Sequence, residues 1–597
     1  MPFTRAWWSP PIFFPAQGTL ALSEHLAGIG VISTPLQLSG GNALLAYNAA
    51  LIASYALSGW CAYLLAWRLT GSRVAAACAG LAFGFGPYRA GQLAHVQVLT
   101  AQWMPLILLS LHEYVRTGRR AWLVAFGASW LVQALSNGYY LLYLPVLIAC
   151  WLMWFVDWRR SASRGIAILA AWAFASVPVV PVLLKYRTVH AAFDLARTSA
   201  ETVRFSATPA SFLHAAPLLA VWPTSDVPTQ EDYLFPGAAS IVIVAAAWLL
   251  IALRRRAGPP STLTFYSLAA IVMYALALGP GSGTSLLDWL RPYRWVTFLP
   301  GYGSLRAPAR FAMLGSLCQS TAAAVAIAIV LTNLRRLRGR AVAGVALAGL
   351  ALDGLTVALP LAPPPPRMVV PAELRDALVL ELPPDDARVS VAAMYRAMFH
   401  RLPLVNGYSG YAPPHYAILS IALRRGDPSP LIYFARGRPL LVVVNDRPDS
   451  GAGFRGLVEG VPGVEALGAS AAGMMYRVPP QPRTVLVDGR AAPAQPMLDG
   501  RTLTLDLGQP RVVRGLEFLV RWRYEELGER MAVEFSNDTV TWQRGWMDWT
   551  GEPVLDAAIR DPLRVPVRLP LNDVSARYLR VYPAPRWLPR ELQVLVP

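Results

Sequence analysis

Lysine is all but missing. Lys185 is the single lysine in 597 residues, and arginine supplies the remaining basic side chains. That bias is compositional, so the arginines do not by themselves signal selection for bidentate anion recognition. Charge of either sign is scarce, at 15% of residues, against 55% hydrophobic residues and a mean hydropathy of +0.40. So little charge excludes a soluble enzyme of this length and places the chain among integral membrane proteins. Cysteine is thin as well: Cys61, Cys78, Cys150 and Cys318 all fall inside apolar runs, with no CxxC spacing. A disulfide framework and a cysteine zinc site are therefore excluded, and the four read as small buried side chains. No stretch interleaves basic residues with stacking aromatics, so the net charge of +18 and pI near 10.1 do not indicate a nucleic-acid partner. The amino terminus lacks the basic region and apolar core of an export signal.

What is present is a rhythm of apolar runs, predicting helices over 43–67, 73–86, 97–113, 121–136, 138–156, 165–184, 238–253, 262–280, 307–331 and 341–361. Several exceed the roughly 18 apolar residues that cross a bilayer, while 73–86 and 121–136 are short enough to be re-entrant or tilted, so eight to ten spans are expected. Arginines recur at every second connection: Arg68/Arg73, Arg116/Arg119/Arg120, Arg159/Arg160/Arg164, Arg254/Arg255/Arg256 and Arg335/Arg336/Arg338/Arg340. The positive-inside rule makes that side cytoplasmic. These clusters hold most of the excess charge, with anionic headgroups as counter-charge. Alternation then puts 1–42, 87–96, 185–237, 281–306 and all of 362–597 outside. Residues 1–42 need export and nothing upstream carries them, so a first transmembrane helix is expected to be missing.

Chemistry is concentrated in those outer segments. Trp7, Trp8, Phe13 and Phe14 read as interfacial aromatics. Glu24 and His25 are candidate catalytic residues, because an ionisable pair beside an apolar helix is where burial raises a carboxyl pKa. The alternative is that Ser23 caps a helix whose dipole favours Glu24. PYRAGQLAHV at 87–96 supplies Arg89, Gln92 and His95, followed by Gln97 and Gln102, a set of donors and acceptors suited to phosphate and sugar hydroxyls. SNGYY at 136–140 breaks an apolar stretch, which makes Asn137 and Tyr139 cavity residues unless it is a plain hairpin turn. Arg197, Glu201, Arg204, Glu231 and Asp232 follow in the loop 185–237, and Arg291, Arg294, Arg306 and Arg310 between 291 and 310. Positive charge at the outer leaflet opposes the inside rule and calls for an anionic partner, of which a lipid-linked phosphate or pyrophosphate is the natural one.

Two modules follow the helices. LAPPPP near 361–366 is a stiff spacer, and 367–480 reads as a small extracytoplasmic α/β domain whose NGYSGYAPPHY segment lines a glycan cleft or packs against the membrane domain. From 484 to 597 short alternating strands predict a β-sandwich.

In order between apolar helices, SEHLAG, GPYRAGQLAHVQ, QALSNGYY, RTSAETVRFSA, LFPG and LPGYGSLRAPARF resemble bacterial multispanning proteins related to GT-C glycosyltransferases. The likeness covers roughly residues 8–330 and continues through MYRAMFHRLPLVNGYSGYAPP at 394–414. It implies a polytopic α-helical membrane protein (GT-C-like) in the cytoplasmic membrane, transferring sugar from a polyprenyl-phosphate donor to a glycan or lipid acceptor. That family carries an acidic residue in its first outer loop; here the first helix and that residue are absent, and Glu24 is the one carboxylate within 1–42. In an inverting reaction Glu24, with His25, would deprotonate the acceptor, while Arg89, His95, Arg306 and Arg310 surround the phosphate and Gln92, Gln102, Asn137 and Tyr139 bind substrate. A divalent cation is the one cofactor left open. The rival readings are a non-catalytic lipid-linked glycan binder or transporter and a membrane-anchored carbohydrate-binding protein. LDLGQPRVVRGLEF, VEFSNDTVTWQ and ARYLRVYP resemble the discoidin or coagulation-factor type C family, a jelly roll that often binds carbohydrate or membranes at loop tips. That likeness rests on core-strand residues Asp506, Trp542, Tyr578 and Arg580.

Overall fold

Small polar residues and glycines at the ends of the apolar runs set the helix boundaries. The computed structural model describes residues 3–224, 227–254, 260–283, 286–445, 452–482, 487–520, 530–583 and 592–597. Arg255 and Arg256 lie outside these. Helix α1 (Ala27–Leu38) precedes α2 (Ala43–Thr70), which starts where Asn42 Oδ1 accepts the Leu45 N–H at 2.8 Å and ends at Gly71, φ +67°. Ser72 caps α3 (Arg73–Gly84), and Gly118, φ +68°, closes α4 (Trp103–Thr117). Glycine tolerates this left-handed geometry, which is why both TG pairs stop a helix. Next come α5 (Ala121–Ser136), α6 (Gly138–Phe155), the long α7 (Ala162–Phe193), α8 (Ala238–Arg254), α9 (Ser261–Ala277), α10 (Pro308–Thr332) and α11 (Arg336–Asp353).

Among the described residues α2, α6, α7 and α10 are long and apolar enough to cross a membrane; α1, α5, α8 and α9 are shorter apolar helices. The chain is thus a helical region with several apolar helices followed by a carboxy-terminal antiparallel sheet domain. Two boundaries depart from expectation. The helix predicted over 97–113 is interrupted, a single turn at Val96–Leu99 preceding the helix that starts at Trp103, and the last one ends at Asp353 rather than near 361.

The chain divides into a helical unit, Glu24–Lys185 with Ala196–Leu361, and a second unit, Met1–Ser23 with Tyr186–Leu195 and Ala362–Pro597. Within the helical unit α10 packs against α2, α3, α8 and α9. The α2–α3 seam is built from glycine: a Cβ on Gly84 would lie 2.7 Å from the Gly59 Cα, and one on Gly80 3.0 Å from the Gly59 carbonyl oxygen. Lipid offers no hydrophobic force between helices, so such close backbone approach supplies the association. Gly84→Leu is expected to cost about 1–3 kcal/mol by overpacking, lowering the thermal unfolding midpoint in detergent. An unchanged midpoint would mean that this contact does not hold the helices together. Where α2 and α4 end, the buried Glu113 carboxylate pairs with Arg68 at 2.7 Å and Arg116 at 2.6 Å.

The second unit contains two sheets. In the first, β1 (Leu378–Leu382), β2 (Leu440–Val444), β3 (Glu465–Ser470) and β4 (Gly473–Val478) lie in the order β1-β2-β4-β3, with β1 and β2 parallel. The two parallel strands β1 and β2 are buried throughout, as their apolar sequences require, and the one charged residue in them, Glu381, is neutralised by Arg396 from α12 (Ala387–His400). Asn406 Oδ1 accepts the Glu381 N–H and its amide donates to the Glu381 carbonyl, each at 2.7 Å. Phe13 is not an interfacial aromatic: it is 1% exposed, its N–H donates to the Asn406 carbonyl, and Gly407 leaves room for its ring. Its carbonyl lies 3.1 Å from His415 Nε2 on α13 (Pro414–Arg424), so NGYSGYAPPHY packs around Phe13. Helix α14 (Ser429–Phe434) follows.

The carboxy-terminal sheet contains β5 (Arg490–Ala492), β6 (Gln495–Asp499), β7 (Thr502–Leu519), β8 (Arg530–Ser536), β9 (Gln543–Trp549), β10 (Pro566–Tyr582) and β11 (Gln593–Val596). Their order is β5-β11-β7-β10-β8-β9, with β6 on β7. The 18-residue β7 and 17-residue β10 pair antiparallel, with register shifts at Pro570/Val574 and Ala576/Tyr578 that bend them. Asp506, Trp542, Tyr578 and Arg580 are half-buried rather than core. Asp506 pairs with Arg577 at 3.1 Å, and Arg580 lies over the Trp542 ring at 4.2 Å.

Candidate functional site

A single helical turn, Val96–Leu99, is separated from α4 by a break in the backbone. Four successive carbonyls from Gln97 to Thr100 each accept a hydrogen bond from a distant polar side chain. Asn137 Nδ2 donates to Gln97 at 3.0 Å, the Tyr140 hydroxyl to Val98 at 2.8 Å, Arg89 Nη2 to Leu99 at 2.8 Å and Gln133 Nε2 to Thr100 at 2.9 Å. Backbone freed from a helix among apolar neighbours must find partners in the protein, and these side chains supply them. Arg89 also donates to the Ser54 carbonyl at 3.0 Å and lies over the Tyr55 ring at 4.7 Å. Arg89 and Asn137 are therefore placed as braces of the backbone, and Asn137 also caps α6 by accepting the Tyr140 N–H at 2.9 Å.

The brace holds one wall of a polar cluster at the helix ends opposite Arg68 and Glu113. Glu24 Oε1 accepts the Gly138 N–H at 2.6 Å, at the first turn of α6 where the helix dipole favours an anion. The Gln97 side chain and the Tyr139 N–H also bond it, and Arg310 lies within electrostatic reach. Burial nevertheless dominates and raises the Glu24 pKa above its ordinary 4.5. Among the described residues Glu24 forms no ion pair. Arg310 is committed elsewhere: its Nε and Nη2 donate to Glu231 Oε1 at 2.8 and 2.7 Å, both side chains being buried, and its guanidinium lies 4.4 Å from the Tyr139 ring centroid. Nη1 of Arg310 makes no hydrogen bond among the described residues. Gln92 Nε2 reaches Glu231 Oε2 at 3.5 Å. Arg306, one-third exposed, is 3.7 Å from Glu201, which Arg197 holds more closely at 2.8 Å.

His95 feels Arg310, Arg306 and Glu231, but burial dominates and lowers its pKa to about 4. His25 is lowered to about 4 by burial too. Its Nδ1 accepts the N–H of Ala27, the first residue of α1, at 3.1 Å, while the N-cap is Leu26 with no side-chain cap, so neither Ser23 nor Glu24 holds that role. Both histidines are neutral at pH 7 and add no positive charge. Gln92 Oε1, His95 Nδ1 and both amide atoms of Gln102 are buried without a hydrogen bond among the described residues. Such groups cost about 1–3 kcal/mol each, which a ligand's hydroxyl or phosphate groups would recover. No three His, Cys, Asp or Glu side chains among the described residues cluster as metal ligands.

The predicted residues Glu24, Gln92, His95, Tyr139, Arg306 and Arg310 thus meet at one helix end, while Arg89 and Asn137 brace it and His25 bonds the first N–H of a helix beside it. Gln97, one of the loop amides read as suited to phosphate and sugar hydroxyls, joins them; one further member was not foreseen as a site residue. Glu231 sits in the EDYLFPG stretch, and its pairing with a residue 79 positions away leaves no local signal.

A family model described as a domain of unknown function (DUF6311) matches residues 46–353. No curated protein matches. Two solved structures are similar, both cryo-EM structures of the arabinofuranosyltransferase AftD from mycobacteria. The first has 12% identity and a TM-score of 0.48 over 98% of this chain and 55% of that one. The second, a mutant form, has 13% identity and a TM-score of 0.38 over 92% and 54%. The chain spans about half the length of these structures.

Proposed function

The chain belongs to the DUF6311 family, and from that premise we propose that it transfers a sugar from a polyprenyl-phosphate carrier to a glycan or lipid acceptor at the outer face of a bacterial cytoplasmic membrane. The observation that carries this reading is the Glu24 carboxylate, held by N–H donors rather than by an arginine and within reach of Arg310. A base must keep an unneutralised lone pair, and a leaving phosphate needs unspent guanidinium donors. Glu24 takes the proton of the acceptor hydroxyl as its oxygen attacks the anomeric carbon. The bond from that carbon to the phosphate oxygen breaks, and the phosphate leaves with the electron pair towards Arg306 and Arg310 Nη1. Gln92, Gln102 and neutral His95 offer hydrogen bonds to sugar hydroxyls. Tyr139, beneath Arg310, fixes the direction of that guanidinium.

Binding of a short-chain polyprenyl phosphate to the full chain in nanodiscs tests the phosphate half of this reading. Arg306→Ala is expected to weaken binding about tenfold, the loss of one charge-assisted contact. Arg68→Ala, at the opposite helix ends, should leave affinity unchanged. Equal losses, or no binding by the unaltered chain, would contradict the assignment.

A further inference from the structure

A cavity of about 450 Å³ lies in the second unit, where β9 gives way to helix α15 (Gly551–Arg560). Its volume falls within the roughly 300–1,000 Å³ of small-molecule sites. Helix α15 is anchored to the first sheet's helices: the Gly551 N–H donates to Asp427 Oδ2 and the Glu552 N–H to Ser429 Oγ, both at 2.9 Å. The cavity is therefore bounded by fixed elements of both sheets rather than by loop tips.

Most charged groups on its wall already have partners. Arg436 pairs with Glu552, the Tyr433 hydroxyl donates to Asp556 at 3.3 Å, and Arg568 donates to Glu517 at 2.5 Å. Four lining side chains are left with unspent capacity. Trp546 and Trp549 are half-buried and neither indole N–H makes a hydrogen bond among the described residues, although Arg530 lies over one face of Trp549 at 5.0 Å. Arg438 lies over the Phe14 ring at 5.2 Å without an ion pair among the described residues. Asp548 is exposed, accepts only the adjacent Trp549 N–H at 2.7 Å and has no arginine partner there.

We propose that this cavity binds a neutral oligosaccharide, its rings stacked on Trp546 and Trp549, with Asp548 accepting from its hydroxyls and Arg438 donating to them. The C–H edges of a sugar ring carry partial positive charge and meet the negative face of an indole. A carboxylate and a guanidinium without an ion pair among the described residues, beside two such faces, supply the acceptor and the donor fork that neighbouring hydroxyls require. Three arginines and three carboxylates line the cavity, so no net field draws an anion into it. Exposed charge equally disfavours an acyl chain. A saccharide site here does not depend on whether the helical cluster performs transfer. It is also separate from the sheet's loop tip, where Asp538 Oδ1 is already spent on the Val540 and Thr541 N–H groups at 2.9 and 2.8 Å.

The test is calorimetric titration of the detergent-solubilised full chain with tetrasaccharides of arabinose, mannose, galactose and glucose, and with tetragalacturonate and inorganic phosphate as anionic probes. At least one neutral tetrasaccharide should bind. Trp546→Ala and Trp549→Ala should each weaken it at least about tenfold, while Trp549→Phe, which keeps an aromatic face, stays within about threefold. Val540→Ala at the loop tip should change nothing, and unchanged circular dichroism excludes unfolding as the cause. Failure of every neutral probe, tighter binding of either anion, or an equal loss in Val540→Ala would overturn the proposal.

Discussion

Glu24→Gln is expected to lower sugar-transfer turnover at least about a hundredfold, within the roughly 10²–10⁴-fold range of general-base removal, with no loss of folded protein. Glutamine keeps the volume and an oxygen for the Gly138 N–H, so the first turn of α6 stays capped. What disappears is the basic lone pair. Burial raises the Glu24 pKa above 4.5 despite Arg310 and the N–H donors, which lower it. A raised folded-state pKa means that protonated Glu24 favours the folded state, so its contribution to stability falls as pH rises through that value. Activity runs the other way, because only the carboxylate is a base. The acid limb of kcat/KM should therefore lie above pH 4.5 and vanish from the residual activity of Glu24→Gln. A limb at or below 4.5, or one retained in the variant, would remove Glu24 from the mechanism.

Arg310→Ala should have the largest effect on stability. It leaves the Glu231 carboxylate buried, 6% exposed, and hydrogen-bonded among the described residues only by Gln92 at 3.5 Å. Breaking a buried pair from one side costs about 3–5 kcal/mol, so the variant is expected to accumulate poorly and unfold well below the unaltered chain. Replacing both partners, Arg310→Met with Glu231→Leu, removes the stranded charge and should recover much of that stability. It should not recover transfer, because the donor facing the phosphate is gone. A stable Arg310→Ala chain would show the pair to be weak, and an active double variant would show that Arg310 has no part in the reaction.

The helix map was legible because its punctuation is local: Asn42, Gly71, Ser72, Gly118 and Asn137 sit at the boundaries, and each acts through neighbours within four residues. The break between the Val96–Leu99 turn and α4 leaves no mark in the hydropathy pattern; the groups that satisfy the carbonyls from 97 to 100 come from Arg89, Gln133, Asn137 and Tyr140. Polar residues at helix junctions brought out most of the cluster, yet their roles divide by what they touch. Arg89 and Arg310 are both buried arginines beside aromatics, but one holds backbone carbonyls and the other a carboxylate. Periodicity cannot separate them. Phe13 misled for a similar reason, since an aromatic among prolines looks interfacial until Gly407 and Asn406 are seen to receive it.

The most direct measurement is transfer of a labelled sugar from synthetic polyprenyl-phosphate donors, pentosyl and hexosyl, in membranes carrying either the unaltered chain or Glu24→Gln at equal abundance. Label should pass into glycan or lipid with the unaltered chain and fall at least about a hundredfold with the variant. Equal transfer by both chains, or no transfer from any donor, would contradict the account.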